Sequence, residues 1–116
     1  MKLIKKSEII IKKSKFIGYY YEIDSKMDAE NILKELKKEH KKARHIPYAY
    51  KLDVIAKKSD DKEPSNTAGA PILNIIELKK MNNCLIAVVR HFGGIKLGAG
   101  GLLRAYSQAA NEATKI

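Results

Sequence analysis

The stretch CLIAVVRHFGGIKLGAGGLLRAY, residues 84–106, determines most of what can be predicted about the fold. Its first part, Cys84 to Arg90, is an apolar run ending in one arginine, which predicts a strand buried on both faces in the centre of a sheet. A glycine-rich segment occupies residues 93–101, and the apolar periodicity from Leu102 to Thr114 predicts a helix. The glycine-rich loop therefore connects a central strand to a helix.

The N-terminal part of the chain predicts two strands and a helix. Residues 8–23 are rich in isoleucine and tyrosine, with a lysine-rich turn or bulge at 12–15. Ser25 and Asp28 form a near-capping box, in which aspartate replaces the usual glutamate or glutamine. A helix is expected from Lys26 to about Ala43, and the lysines of its last turns favour the negative end of a helix.

The middle of the chain predicts a strand, a polar loop and a second helix. Residues 45–56 have a strand pattern, residues 57–67 are polar, and a helix is expected from about Gly69 to Lys80. The resulting order of elements is ββαβαβα. It predicts the α+β class, as a two-layer sandwich in which helices cover one face of a mixed four-stranded sheet.

Length and composition predict a single domain over residues 1–116. The chain has 116 residues, of which 45% are hydrophobic and 31% are charged. That length suits one hydrophobic core and is too short for two. No apolar stretch reaches the roughly 18–20 residues of a membrane span, and Met1–Lys13 lacks the apolar core of a signal peptide. The single cysteine, Cys84, cannot form an internal disulfide. We therefore expect a cytoplasmic protein without a membrane partner.

The charge balance makes a polyanion a candidate partner. The formal net charge is 23 − 13 = +10 at pH 7, and the sequence pI is about 9.7. Clustered lysine and arginine gain affinity for nucleic acid by releasing phosphate counterions. A lysine-biased composition is the alternative explanation, because lysine far outnumbers arginine and tryptophan is absent. Charge alone leaves both explanations open.

The glycine-rich loop has the composition of an anion-binding site. Five of the seven glycines lie between residues 93 and 101, where backbone amides can approach a ligand and a helix N-terminus adds partial positive charge. The candidate ligand-binding residues are Arg90, Gly93, Gly94, Lys96, Gly98, Gly100, Gly101 and Arg104. The loop matches neither the Walker A nor the dinucleotide-binding pattern. Close packing of the helix on the sheet is the other explanation for the glycines.

A second unusual segment is DDKEPSNTAGAP at residues 60–71. It places three carboxylates within four positions, followed by serine, asparagine and threonine before the predicted second helix. The candidate functional residues are Asp61, Glu63, Pro64, Ser65, Asn66, Thr67 and Gly69. The simpler alternative is a solvated loop in which Thr67 or Asn66 caps the helix.

The sequence assigns no catalytic residue, no metal and no cofactor. The three histidines, His40, His45 and His91, lack metal-ligand spacing, and Cys84 falls in a predicted core strand. No nucleophile and base stand at a recognisable spacing.

Together, the two segments resemble the N-terminal domain of the IMPACT/YigZ family, also called UPF0029, over nearly the whole chain. The matching stretches are KSKFI at 13–17, His45 with YAY at 48–50, EPSNTAGAPIL at 63–73 and VVRHFGGIKLGAGGLLRAY at 88–106. The family pattern usually has glycine at Asn66, tyrosine at His91 and cysteine near Tyr48. Asparagine also tolerates the left-handed conformation that glycine adopts, so the turn is expected to survive.

The resemblance implies a fold like domain 2 of ribosomal protein S5. It also implies that bacterial relatives carry a second, smaller C-terminal domain similar to one in elongation factor G, and that their biochemical activity is not firmly assigned. The chain stops where that domain would begin, so we expect an isolated N-terminal domain or a truncated product. Eukaryotic relatives act in translational control through protein contacts.

Two functions are compatible with these observations. The first is a non-catalytic binding module linked to translation control, in which Arg90, Lys96 and Arg104 contact the phosphates of RNA or the acidic side chains of a ribosome-associated protein. The second is an enzyme acting on a phosphorylated small molecule or nucleotide, with the glycine-rich loop as a phosphate cradle. Glu63 or Asp61 would then serve as base or metal ligand. The second function requires the two loops to be adjacent.

Overall fold

The fold is an α+β domain built on one five-stranded antiparallel sheet, and the computed structural model describes residues 1–116. The sheet order is β1-β2-β5-β3-β4, and every pairing is antiparallel. None of the three helices is both long enough and apolar enough to cross a membrane. The elements are β1 (Lys2–Ile11), β2 (Ser14–Glu22), α1 (Lys26–Glu39), β3 (Tyr48–Leu52), β4 (Ile55–Ser59), α2 (Gly69–Leu78), β5 (Cys84–His91) and α3 (Gly98–Ala113).

The predicted four-stranded mixed sheet is wrong in two respects. Every strand pair is antiparallel, and a hairpin replaces the single strand expected over residues 45–56, which makes five strands. β3 and β4 pair from Tyr48↔Ser59 to Leu52↔Ile55, which leaves a two-residue turn between them. Asp53 in that turn has φ +55° and donates its backbone N–H to Asn82 Oδ1 at 2.8 Å. The hairpin adds a fifth strand, β4, which begins in the last residues of the predicted strand and ends in residues that were expected to be loop.

The prediction that helices cover only one face of the sheet is also wrong. Side chains along β5 alternate between two cores, as the two-residue period of a strand requires. Ile86 and Val88 belong to the core under α2 and α3, whereas Leu85, Ala87 and Val89 belong to the core under α1 on the opposite face. The predicted central position of β5, buried on both faces, is confirmed. A strand buried on both faces needs helices packed on each side of the sheet.

The N-termini of α1 and α3 differ from each other in how well the sequence predicted them, and the start of α3 determines the length of the glycine-rich loop. The predicted cap of α1 is confirmed, since Ser25 Oγ accepts from the backbone N–H of Asp28 at 3.1 Å. α3 begins at Gly98 and not at Leu102 as predicted, so the second half of the glycine-rich segment forms the first turn of this helix. The loop that remains between β5 and α3 is short, and it brings the start of α3 close to the end of β5.

Candidate functional site

The two segments singled out in the sequence meet in one pocket of about 410 Å³, here called the two-loop pocket. It lies where β5 ends and α3 begins. Its lining residues are Arg44, His45, Glu63, Pro64, Arg90, Phe92, Lys96, Leu97, Gly98, Ala99 and Leu102. The adjacency of Glu63 and Gly98, on which the enzyme hypothesis depended, is therefore present.

A buried carboxylate, Glu63, holds the two segments together. Its side chain is 3% exposed, and Arg90 Nη1 donates to Oε1 at 3.0 Å and to Oε2 at 2.8 Å. The Tyr106 hydroxyl of α3 donates to Oε2, and His45 Nε2 lies 3.6 Å from Oε1. One side chain of the second segment thus joins β5, α3 and the residues before β3.

Burial also raises the pKa of the Tyr106 hydroxyl, which donates to the Glu63 carboxylate. Tyr106 is fully buried, and desolvation, followed by the hydrogen bond to Glu63, raises its pKa far above the usual range of a tyrosine. The hydroxyl therefore stays protonated and acts as a donor at every physiological pH. This arrangement is chemically a structural ion pair with one added donor.

Arg90 is a core residue that also lines the two-loop pocket. It is 6% exposed, and its guanidinium carbon lies 5.7 Å from the ring centre of Phe16 and 5.4 Å from that of Phe92. Both hydrogen bonds to Glu63 come from Nη1. The buried Nε has no hydrogen-bond partner in the protein. A buried donor without an acceptor is costly, so this N–H group is an exception to the general pairing of buried polar groups.

The first turn of α3 presents free backbone donors to the same pocket. The residue before the helix is Leu97, and no side chain caps the turn, so the N–H groups that lack a helical partner stay available. Gly98 has φ +75°, a conformation that favours glycine, and a Cβ placed there would meet nothing within 4 Å. The exposed Lys96 and Arg44 add positive charge beside these amides.

The second segment is organised by Asp60 and not by the residues expected to cap α2. The Asp60 carboxylate accepts from the backbone N–H groups of Asn66, Ala68 and Gly69 at 2.8–3.1 Å. The predicted cap by Thr67 or Asn66 is wrong, since no side chain of the preceding residue caps the helix and the Thr67 hydroxyl donates to the Pro64 carbonyl instead. The expected left-handed conformation of Asn66 is confirmed, with φ +64°.

The neighbouring Asp61 positions the residues that precede β3. Its Oδ2 accepts from the Ile46 backbone N–H at 2.7 Å, and its carbonyl oxygen lies 2.9 Å from His45 Nδ1. His45 in turn bridges Arg90 in the sheet. The two contacts orient the His45 ring toward Glu63.

Only some of the predicted site residues line the two-loop pocket. Arg90, Lys96, Gly98, Glu63 and Pro64 line the two-loop pocket. Arg104 lies outside it, in a neighbouring hollow shared with Lys12 and Gln108. The other predicted residues do not line it either: Asp61, Ser65, Asn66, Thr67, Gly69, Gly93, Gly94, Gly100 and Gly101.

Sequence reasoning missed six lining residues of the pocket, namely Arg44, His45, Phe92, Leu97, Ala99 and Leu102. Arg44 was assigned to a lysine-rich helix end, and Phe92 lay within the unusual segment after the predicted strand but was given no role. An available signal was the position of Phe92 directly before two glycines, where a strand ends and a side chain can turn outward.

The three backbone donors of Asp60 predict a measurable acid sensitivity. Partial burial opposes ionisation of the carboxyl, but the hydrogen bonds from Asn66, Gly69 and Ala68 outweigh it, and the pKa lies below its ordinary value. Its contribution to stability is therefore present above the unfolded pKa of about 3.9 and is lost as the pH falls through the folded pKa. Asp60→Ala is expected to lower the free energy of unfolding by about 0.5–2 kcal/mol at pH 7.

Urea denaturation of both proteins at several pH values between neutrality and strong acid tests this. The difference in unfolding free energy between wild type and Asp60→Ala should shrink as the solution becomes more acidic than the ordinary carboxyl pKa. A difference that stays constant over that range would mean that the charge of Asp60 is not what holds the loop.

The model of the "Impact N-terminal domain" family matches residues 12–114, nearly the whole chain. The chain belongs to the IMPACT family. It is 42% identical over 108 residues to the IMPACT family member YvyE of Bacillus subtilis, covering 90% of this chain and 50% of that protein. It is 36% identical over 110 residues to YigZ of Escherichia coli, covering 90% of this chain and 54% of the relative. The chain thus spans about half the length of these curated relatives.

Solved structures give the same fold. A crystal structure of a hypothetical protein superposes with a TM-score of 0.90 at 34% identity, covering 97% of this chain and 59% of the other. The two-domain translational regulator Yih1 superposes with a TM-score of 0.59 at 25% identity, covering 96% of this chain and 45% of Yih1.

Proposed function

We propose that this domain is a non-catalytic binding module in translational regulation, and that it engages RNA through the two-loop pocket. It would act in the cytoplasm, where translation takes place. The likeness to the translational regulator Yih1 supports the regulatory role. RNA as the ligand is supported by one observation. The first turn of α3 has no side-chain cap, and it borders a pocket in which cationic side chains outnumber carboxylates.

The charge of the pocket lining favours a phosphate over a neutral ligand. Three cations, Arg44, Arg90 and Lys96, stand against one carboxylate, and that carboxylate is neutralised by its own ion pair with Arg90. Two cations and the partial positive charge of a helix N-terminus are left for a ligand. The net charge of +10 adds a long-range attraction for a polyanion.

Replacing Lys96 tests the proposal directly. Lys96→Ala is expected to weaken binding of labelled RNA uniformly across sequences and to reduce the salt slope of log K by about one, because one phosphate contact is lost. Fluorescence anisotropy from low to physiological salt measures both quantities. Lys2→Ala is the matched control, since Lys2 is equally exposed and lies at the opposite end of the sheet. Equal slopes for the two variants would count against the pocket.

Arg104→Ala belongs in the same titration. Arg104 is among the residues that the sequence marked for phosphate contact, but it lies in the adjacent hollow. A loss comparable to that of Lys96→Ala would extend the RNA surface along α3. If RNA does not bind and the variants instead lose capture of a ribosome-associated protein with an acidic surface, that protein would be the partner.

An enzyme acting on a phosphorylated small molecule or nucleotide is the second candidate. It is favoured by one observation, that Glu63 and the first turn of α3 line the same pocket of about 410 Å³, a size within the range of small-molecule sites. Against it, both oxygens of Glu63 already accept hydrogen bonds, so no free base faces the ligand. Saturable nucleotide binding without chemical change would favour the binding module, whereas turnover would favour the enzyme.

The fold label implied by the family also remains a proposal. The strand and helix order supports a fold like domain 2 of ribosomal protein S5, and superposition on that ribosomal domain is the comparison that tests it.

A further inference from the structure

We propose that the RNA held by the two-loop pocket is single-stranded, with one base stacked on Phe92 and the adjoining phosphate on the first turn of α3. This inference rests on the proposed function and specifies its ligand. It concerns Phe92 in the wall of the pocket, because contacts to phosphate do not explain an aromatic side chain there.

Phe92 is an exposed aromatic ring in the wall of a cationic pocket. It is 46% exposed, although burial of such a ring is normally favourable. The Arg90 guanidinium carbon lies 5.4 Å from the ring centre, and this contact limits the orientations of the ring. An ordered, accessible aromatic face is the feature on which unpaired bases stack in single-strand-binding proteins, without much regard to sequence.

The phosphate position is supported by two independent observations. The first turn of α3, a helix of 16 residues, has no side-chain cap. Arg90, which lines the same pocket and is more than nine-tenths buried, keeps its Nε without a partner. The first turn of α3 and the charged Arg90 side chain therefore border one cavity, where an anionic oxygen could accept from the helix amides and be attracted by the guanidinium.

The shape of the site favours a strand over a free nucleotide. Arg44 lines the two-loop pocket and also the next hollow, whose other cationic side chains are Lys37, Lys41 and Lys62. Lys37 and Lys41 lie at the end of α1, Lys62 lies in the second segment, and these cations outnumber the one carboxylate of the hollow, Asp61. The following phosphates of a chain would lie along them. A duplex does not fit this arrangement, because its bases are paired and stacked and offer no free face to Phe92.

The experiment compares three labelled ligands of equal length: oligouridylate, the same backbone without bases, and a duplex. Phe92→Ala and Phe92→Leu are measured beside the wild-type chain, since leucine keeps an apolar cover over Arg90 but removes the aromatic face. Thermal unfolding establishes that both variants are folded. We expect both to lose about tenfold or more in affinity for oligouridylate and to leave the affinity for the abasic strand unchanged.

The outcomes separate this inference from the function on which it rests. If none of the three ligands binds, the proposed RNA function fails. If the abasic strand or the duplex binds as tightly as oligouridylate, or if Phe92→Leu binds like wild type, the RNA function stands and the stacking site is wrong. Preferential binding of the base-bearing single strand, lost in both variants, establishes it.

Discussion

Glu63→Ala is expected to lower the free energy of unfolding by about 3–5 kcal/mol, the range found when one partner of a buried ion pair is removed. The substitution leaves the Arg90 guanidinium, which is 6% exposed, without its counter-charge. It also takes the acceptor from the fully buried Tyr106 hydroxyl. A domain of this size has only about 5–15 kcal/mol of stability in total, so the variant is expected to be close to unfolding.

Urea denaturation followed by circular dichroism measures this loss, and an exposed ion pair supplies the control. Glu77 pairs with Lys51 at 3.4 Å with its side chain 49% exposed, and Glu77→Ala should cost no more than about 1 kcal/mol. The double variant Glu63→Ala with Arg90→Ala should lose less than the sum of the single losses, because it leaves no unpaired charge. A loss for Glu63→Ala as small as that for Glu77→Ala would mean that the ion pair does not hold the loops together.

The central strand could be predicted from sequence because its signal is local and strong. Cys84 to Val89 is apolar without interruption, which favours a strand buried on both faces. The same observation implies a cover on both faces, and the expectation of helices on one face was inconsistent with it. α1 supplies the second cover through Ile32 and Leu36.

The β3–β4 hairpin could not be predicted, because neither its turn nor its second strand carries a usual signal. The turn contains Asp53 in the left-handed region but no glycine, and it is fixed by the distant Asn82. β4 packs almost nothing, since four of its five residues are exposed, so it lacks the alternation that marks a half-buried strand. Tertiary contacts determine both features.

The candidate site was predictable as two segments but not as an assembly. Residue types showed that the glycine-rich loop and the acidic segment were unusual, whereas the pairing of Glu63 with Arg90 spans 27 positions and has no sequence pattern. The packing explanation for the glycines applies at one position and not at another. Gly93 lies against the backbone of the β1–β2 turn, whereas a Cβ at Gly100 would make only ordinary contact with the Arg104 side chain.

This difference between the glycines predicts opposite effects of alanine. Gly93→Ala is expected to lower the free energy of unfolding by about 3 kcal/mol or more, at the upper end of the cost of overpacking. A Cβ at Gly93 would lie 1.9 Å from the carbonyl oxygen and 2.1 Å from the carbonyl carbon of Lys13. Backbone atoms cannot move aside as a flexible side chain does, and a shift would also strain the bond from Gly93 N–H to the buried Ser14 Oγ at 3.2 Å.

Gly100→Ala is the matched control within the same segment. Its Cβ would meet only the Arg104 guanidinium, at 3.5 Å, and alanine is favoured over glycine in a helix by about 0.5–1 kcal/mol. Gly100→Ala should therefore be as stable as wild type or more stable, while Gly93→Ala unfolds at a much lower urea concentration with a similar slope. If the two variants have the same midpoint, the close approach of β5 to the β1–β2 turn is not what requires glycine at position 93. If they differ as expected, packing against the β1–β2 turn explains the glycine at position 93 and does not explain the glycine at position 100.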